Sequence, residues 1–139
     1  MVKPAVVVVW FKRDLRVSDH APLVAAAASG LPVLPLFIVE TDYWKTPVAS
    51  RRHWCFQHDC LVSLNQSLCH LGQSLIVRVS TDAVAVLDEL SETLEIVQIF
   101  AHEESGNDWT YQRDIRFRQR CQQRAIRLSE YPYNGVVRR

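Results

Sequence analysis

Glycine is scarce in this sequence, and the motifs that depend on it are missing. Only four glycines occur among 139 residues, and no segment matches G-x-G-x-x-G or the P-loop pattern. Both motifs use glycine so that backbone N–H groups can approach a phosphate closely. The common dinucleotide-binding and NTPase classes are therefore disfavoured. The G-x-S-x-G motif of α/β-hydrolases is absent as well.

Paired cysteines and clustered histidines are also lacking. Four cysteines are present, and none belongs to a C-x-x-C pair: Cys55, Cys60, Cys69 and Cys121. This pattern predicts reduced thiols in a cytoplasmic protein, with no disulfide framework. His53 and His58 are five residues apart, which does not place two metal ligands on one helix face. We therefore expect no metal site.

The global charge and hydropathy indicate neither a membrane nor a nucleic-acid partner. The formal net charge is +1, and no apolar run approaches the roughly 18 residues of a membrane-spanning helix. The apolar run after Lys3 is short and suits a strand better than a signal peptide. Hydrophobic residues make up 48% of the chain, which is enough for one globular domain with its own core.

Five apolar segments alternate with helix-like segments. The first, over 5–10, is a continuous β-branched run, typical of a strand buried on both faces of a sheet. The later strands are predicted at 33–39, 75–79, 96–100 and 127–130. Pro35 fits its strand poorly because it cannot donate a ladder hydrogen bond. The alternation predicts an α/β fold with a doubly wound, mostly parallel, five-stranded Rossmann-like sheet and helices on both faces.

Caps and apolar periodicity place the helices between these strands. Asp19 is the expected N-cap of the first helix, with Pro22 in its first turn. A long helix over 50–71 ends before Gly72, and its apolar stripe consists of Trp54, Leu61, Leu64, Leu68 and Leu71. A helix over 82–92 is expected to bury Val84, Leu87 and Leu90. A last helix over 107–124 is expected to bury Tyr111, Ile115 and Cys121.

Ligands of such sheets bind beyond the carboxyl ends of the strands, near the point where the strand order reverses. This rule selects four segments of the chain: 10–14, 39–42, 80–82 and 101–106. Among them, polar side chains stand beside apolar Trp10 and Ile38, which is the usual mixture of a ligand pocket.

The segment after the first strand carries the most specific pattern, W-F-K-R-D-L-R-V-S-D-H from Trp10 to His20, followed by A-P-L. One interpretation is a polar loop held by its own charge pairs, and the other is the wall of a ligand pocket. The segment resembles the W-F-R-x-D-L-R-x-x-D-N-x-A-L signature that opens photolyases and cryptochromes. Further matches follow in register, with S-R-R at 50–52 and R-D at 113–114.

The resemblance implies an N-terminal α/β domain of a photolyase/cryptochrome-type flavoprotein. In that family this domain can hold a light-harvesting antenna chromophore. A larger C-terminal helical domain binds FAD and, in photolyases, the damaged DNA base. Nothing in this sequence resembles the FAD domain. We therefore expect the α/β domain over 1–130, the start of an interdomain linker over 131–139, no catalytic residue in this chain, and contact with DNA only through the full-length protein.

The antenna site implied by the resemblance lies between the loop after the second strand, the start of the long helix and the loop after the fourth strand. Its residues here are Trp10, Ile38, Glu40, Arg51, Glu103 and Ser105. Arg51 would pair with a ribityl phosphate. Folate-antenna members carry an Asn-Glu pair where this sequence has Trp109 and Thr110. A flavin or deazaflavin is therefore favoured over methenyl-folate, and the alternative is a pocket that is empty or filled by Trp109.

Two other functions stay open at this point. In a blue-light-sensing cryptochrome, the same domain would act as a protein-interaction module. An unrelated nucleotide-binding α/β domain is disfavoured by the missing phosphate loop. The arginines of the last helix spread around its surface, so we expect ordinary solvation and contacts with the helical domain in preference to a DNA-binding stripe.

Overall fold

A five-stranded parallel sheet forms the centre of the protein in this computed structural model. The structure describes residues 2–46, 51–104 and 106–132, apart from the side chains of residues 51–53. The strands are β1 (Ala5–Phe11), β2 (Val33–Glu40), β3 (Ile76–Ser80), β4 (Glu95–His102) and β5 (Arg127–Tyr131). The α/β fold predicted from the alternation of segments is thus confirmed.

The strands lie in the order β3-β2-β1-β4-β5, and every neighbouring pair is parallel. The order reverses at β1, so β1 lies in the middle of the sheet and is covered on both faces. Val7, Val8, Val9 and Phe11 are accordingly almost fully buried. This position explains why the β1 sequence is continuously apolar and does not alternate. It also places the reversal of strand order, where doubly wound sheets bind ligands, at the end of β1.

Within the described residues, five helices connect and cover the strands: α1 (Ala21–Ala27), α2 (Thr41–Trp44), α3 (Arg51–His70), α4 (Ala83–Ser91) and α5 (Asp108–Gln123). Leu61, Leu64 and Leu68 of α3 pack on one face of the sheet together with α1. Helices α4 and α5 pack on the other face, with Leu87 and Phe117 among their buried residues. No helix of the described residues is long and apolar enough to cross a membrane.

The first helix begins one residue later than the sequence predicts. Its N-cap is His20, whose Nδ1 accepts a hydrogen bond from the backbone N–H of Leu23 at 3.1 Å. Asp19 precedes the cap with a φ of +53°. An aspartate is favoured as an N-cap by its short side chain, but here the imidazole does the same task because its ring is buried and fixed by Asp14.

Pro35 lies inside β2, opposite Val9 of β1. The backbone carbonyl of Pro32 accepts a hydrogen bond from the N–H of Val7 at 3.0 Å. The backbone N–H and C=O groups of even-numbered residues in β2 therefore point toward β1, and the backbone of Pro35 points toward the opposite neighbour. On that side the pairing with β3 begins only at Leu36. The missing N–H of Pro35 therefore interrupts no ladder hydrogen bond, which removes the objection to a proline in this strand.

Two residues predicted to be buried are exposed. Leu71 follows the end of α3 and is 62% exposed, because Gly72 turns the chain with a φ of +82°. Tyr111 is 61% exposed, since the buried side of α5 runs along a different set of residues: Thr110, Arg113, Asp114, Phe117 and Cys121. The prediction chose apolar residues, whereas two charged residues of α5 are buried by ion pairing.

Candidate functional site

A cavity of about 430 Å³ opens at the carboxyl ends of β1 and β2, next to α2, residues 56–60 of α3 and the start of α5. This volume is in the usual range for small-molecule sites. The lining residues are Trp10, Phe11, Lys12, Arg13, Leu15, Phe37, Ile38, Glu40, Tyr43, Trp44, Phe56, Gln57, Cys60, Glu104, Thr110 and Arg113.

Aromatic side chains form much of the cavity wall. Trp10 comes from the end of β1 and packs against Phe117, with ring centroids 4.4 Å apart. Tyr43 and Trp44 come from α2, which the sequence analysis did not predict, and their rings meet edge to face at 5.4 Å. Flat apolar walls of this kind suit a planar ring system.

Polar groups of the cavity wall belong to one ion-pair network, which we call the Arg113 cluster. Arg113 is 3% exposed and binds a carboxylate through each of its three nitrogens. Its Nη1 contacts Glu40, its Nη2 contacts Glu104, and its Nε donates to Asp114 at 2.8 Å. Lys12 and Arg13 complete the cluster by pairing with Asp114 at 3.6 Å and with Glu104 at 3.3 Å. Three cations thus face three carboxylates.

The beginning of α5 positions Thr110 and Arg113 for this role. The side chain of Asn107 caps the helix by accepting a hydrogen bond from the N–H of Thr110 at 3.1 Å. Thr110 returns a hydrogen bond from its hydroxyl to the carbonyl of Asn107 at 2.9 Å. A Cβ atom at Gly106 would overlap that hydroxyl, so a larger residue there would displace the side chain of Thr110.

Burial and ion pairing shift the pKa values of Glu40 and Arg113 in opposite directions. Burial raises the pKa of Glu40 to about 7, although Arg113 and the N–H of Ala83 favour its charged form. Burial also lowers the pKa of Lys12. For Arg113, burial opposes the charge, but Glu40, Glu104 and Asp114 outweigh it and raise the pKa. The cavity edge therefore carries a permanent cation beside a carboxylate that changes protonation near neutral pH.

A second buried group, the Asp14 cluster, consists of Asp14, His20 and His102. Oδ2 of Asp14 lies 2.5 Å from Nε2 of His20 and 2.7 Å from Nδ1 of His102, and Oδ1 accepts from the backbone N–H of Lys12 at 2.8 Å. Because Nδ1 of His20 accepts from Leu23, the proton of that ring is on Nε2 and is donated to Asp14. Burial opposes the charge of Asp14, yet the two histidines outweigh it and hold the pKa of this carboxyl well below its usual range.

The three side chains of the Asp14 cluster are also spaced such that they could hold a metal ion, with ligand atoms within 4.8 Å of one another. Hydrogen bonds already account for this spacing, because the nitrogens of His20 and His102 bind the same carboxylate oxygen directly. All three residues are buried, and none lines the cavity. The arrangement is that of a closed hydrogen-bond network that fixes the loop after β1 against β4.

The predicted site residues divide into three groups. Trp10, Ile38 and Glu40 line the cavity. Glu103 is exposed and does not line it, and its backbone N–H pairs with the carbonyl of Tyr131. Arg51 opens α3, but its side chain lies outside the described residues, as does all of Ser105.

The polar residues of the cavity that were not among the predicted site residues include Lys12, Glu104 and Arg113. The arginines of α5 were expected to be solvated or to contact the helical domain, which is wrong for Arg113 because its side chain is buried within this domain. Arg113 and Glu40 are separated by 73 positions in sequence, so no local pattern reveals their contact. Trp109 packs against Tyr43 at 5.3 Å and leaves the cavity open, so the alternative of a pocket filled by Trp109 is not observed.

Comparisons with known proteins identify the family of the chain. Residues 7–138 match the DNA photolyase family. The chain is 40% identical over 93 residues to a deoxyribodipyrimidine photo-lyase of Agrobacterium fabrum, covering 66% of this chain and 19% of that protein. It is also 40% identical over 95 residues to cryptochrome-1 of Arabidopsis thaliana, covering 67% of this chain and 14% of that protein.

The fold is also similar to that of a solved cryptochrome from Synechocystis. The TM-score is 0.84, with 22% identity, and the similarity covers 95% of this chain and 28% of the cryptochrome. The present chain therefore spans less than a third of the length of each of these three proteins.

Proposed function

The chain belongs to the DNA photolyase family, and from this premise we propose that it is the light-harvesting and structural domain of a photolyase-type flavoprotein. The cavity at the ends of β1 and β2 would be its antenna-chromophore site. The observation that carries the proposal is the coincidence of an aromatic-walled cavity of about 430 Å³ with the point where the strand order reverses.

The residues of the cavity fit a flavin or deazaflavin ring. Tyr43 and Trp44 contribute partly exposed aromatic rings, while Lys12 and Glu40 place a donor and an acceptor at the edge of the space. We prefer these rings to methenyl-folate because Trp109 and Thr110 stand where folate-antenna members carry an Asn-Glu pair. Thr110 lines the cavity but has no carboxylate to bind a pterin, and its hydroxyl donates its proton to the carbonyl of Asn107.

The activity of the full-length protein is part of the proposal. A C-terminal helical domain would hold FAD and, after excitation, pass an electron to a pyrimidine dimer in DNA. The α/β domain, over 1–130, would supply excitation energy, and 131–139 would begin the linker to the helical domain. Tyr131 ends β5, so the regular structure reaches this boundary. We place the protein in the cytoplasm because of its unpaired cysteines.

A signalling cryptochrome is the second candidate. The similarity to an Arabidopsis cryptochrome is as high as that to an Agrobacterium photolyase, so the α/β domain alone favours neither. Dimer repair under blue light by the full-length protein would separate the two functions. The present chain by itself, even with added FAD, is expected to repair no dimers, since its proposed role is to bind the antenna. Repair above a control without protein would contradict this assignment.

Binding to the purified chain tests the antenna site directly. We expect a flavin or deazaflavin to bind at micromolar order, or about 8 kcal/mol, because the helical domain is not there to cover the cavity. Cys60 lines the cavity and Cys55 is exposed on the same helix. Cys60→Phe should therefore abolish binding, whereas Cys55→Phe should not. Equal binding by Cys60→Phe and the unmodified protein would place the ligand elsewhere.

Arg51 is tested by the difference between FMN and riboflavin. If Arg51 binds the phosphate, Arg51→Ala should weaken FMN and leave riboflavin unchanged. Equal loss of both ligands would indicate a general effect on α3, and no loss would remove Arg51 from the site. Methenyl-folate binding more tightly than either flavin would contradict the preference based on Trp109 and Thr110.

A further inference from the structure

Four oxidisable side chains form a continuous row along the cavity, which we call the aromatic row: Trp109, Tyr43, Trp44 and Trp54. Successive ring centroids are separated by 5.3, 5.4 and 5.7 Å. Tyr43 and Trp44 line the cavity, and Trp54 continues the row along α3. All four side chains are partly exposed to solvent. The row therefore connects the cavity with the protein surface through rings in contact.

Indole and phenol rings are the side chains that lose an electron most readily, and an oxidised flavin becomes a strong oxidant when it absorbs blue light. We propose that the aromatic row donates an electron to a photoexcited oxidised flavin in the cavity. Such a flavin would then be quenched, and only a ring that does not take an electron from indole would pass on its excitation. This inference rests on the proposed antenna site and adds a redox condition to it.

The charges around the rings select the donor. Trp10 also lines the cavity, but Nζ of Lys12 lies 4.3 Å and Cζ of Arg113 lies 4.9 Å from its ring centroid. A positive charge left on Trp10 would be repelled by both cations in a buried setting, where Coulomb energies are large. Among the described residues, the cations placed over indole faces lie over Trp10 and Trp109. Trp44 is therefore the favoured donor.

The proposed electron transfer needs no reactant other than the flavin and the aromatic side chains. One electron leaves the indole of Trp44 for the excited ring, and no covalent bond forms or breaks. Trp54 can then donate one electron to Trp44 across 5.7 Å, which moves the positive charge from the cavity wall to a ring that does not line the cavity. Return of the electron from the ring restores every group to its original state. Tyr43 is a poorer donor because a phenol must also release its proton when it is oxidised.

The test uses riboflavin with the purified chain. Equilibrium dialysis first measures whether riboflavin binds, which judges the antenna site separately. Time-resolved fluorescence then measures the excited-state lifetime of the bound ring. We expect a lifetime several-fold shorter than that of free riboflavin, restored largely by Trp44→Phe and little by Tyr43→Phe. An unquenched ring in the unmodified protein, or equal quenching in Trp44→Phe, would overturn the proposal.

Trp54→Phe examines the second step. Fluorescence should stay quenched because Trp44 is intact, while transient absorption should show faster return of the electron to Trp44. A charge-separated state that lives as long in Trp54→Phe as in the unmodified protein would remove Trp54 from the row.

A tethered flavin decides the question even if free riboflavin does not bind. Iodoacetyl-riboflavin can be coupled to Cys60 at the cavity wall in a Cys55→Ser, Cys69→Ser protein, since the remaining Cys121 is buried. Quenching that depends on Trp44 in this adduct would support the row, although absent dialysis binding would still refute the antenna site. An adduct without quenching would refute the row.

Discussion

The Asp14 cluster and the Arg113 cluster are both buried at the carboxyl edge of the sheet, yet their surroundings differ. The Asp14 cluster has one carboxylate between two imidazoles and no contact with the cavity. The Arg113 cluster balances three cations with three carboxylates, and most of its members line the cavity. Buried carboxylates at the same edge of the sheet thus have two roles: Asp14 fixes the loop after β1, and the carboxylates of the Arg113 cluster balance cations beside the cavity.

The pKa values show what the difference means. The pKa of Asp14 is held low because hydrogen bonds from His102 and His20 outweigh its burial. The pKa of Glu40 is raised to about 7 because burial outweighs its contacts with Arg113 and Ala83. Asp14 therefore has hydrogen-bond partners that stabilise its charge, whereas the charged form of Glu40 is disfavoured beside the cavity. A ligand that donates a hydrogen bond to Glu40 would improve its surroundings, whereas Asp14 has nothing to gain.

Replacing Asp14 should have the largest effect on stability. Asp14→Asn removes the charge that two imidazoles and one backbone N–H bind, and we expect a loss of about 3–5 kcal/mol in the free energy of unfolding. Urea denaturation measures it. Asp19→Asn is the matched control, because Asp19 is exposed in the same loop and its change should stay within about 0.5 kcal/mol.

Equal losses of unfolding free energy in Asp14→Asn and Asp19→Asn would contradict this expectation. The contrast between the two clusters would also fail if Asp14→Asn, where still folded, bound riboflavin much more weakly than the unmodified protein. That result would make the Asp14 cluster part of the ligand site.

Replacing Glu104 should affect stability less and binding more. Glu104→Gln removes one of the three carboxylates around Arg113, and a hydrogen bond to a charged group is worth about 1.5–3 kcal/mol. The cavity then gains net positive charge, so FMN should gain affinity relative to riboflavin. Glu103→Gln is the neighbouring control, since Glu103 is exposed and does not line the cavity. If Glu103→Gln shifted the FMN preference and Glu104→Gln did not, the original choice of Glu103 as a site residue would be supported.

The third prediction concerns the pH dependence of the stability that Glu40 contributes. Its pKa rises from 4.5 to about 7 on folding, so the folded state holds more protons than the unfolded state in this interval. Stability from this group is present below pH 4.5 and is lost as the pH rises through 7. The free energy of unfolding of Glu40→Gln, relative to the unmodified protein, should therefore increase over this interval. If this difference in unfolding free energy stayed constant or fell, Arg113 would be keeping Glu40 charged. Glu40 would then resemble Asp14 in being held ionised by its partners.

The sequence predicted the strands because their patterns depend on neighbours along the chain. The continuous apolar run of β1 indicated a central strand, and β1 is indeed covered on both faces. The position of the cavity also followed from the βα alternation, since Trp10, Ile38 and Glu40 end adjacent strands and all line it. The cap of α1, by contrast, was assigned to Asp19, because the burial of His20 depends on Asp14 and His102.

The sequence was sufficient for the α/β fold, for the order of the five strands and of every helix except α2 along the chain, and for the edge of the sheet where the cavity lies. Local periodicity and turn residues carry that information. Which charged residues are buried depends on contacts between segments that are far apart in sequence. Arg113 reaches Glu40 across 73 positions, and Asp14 reaches His102 across 88. A buried charge is stable only with its partners around it, and those partners come together only when β1, β2, β4 and α5 meet at one edge.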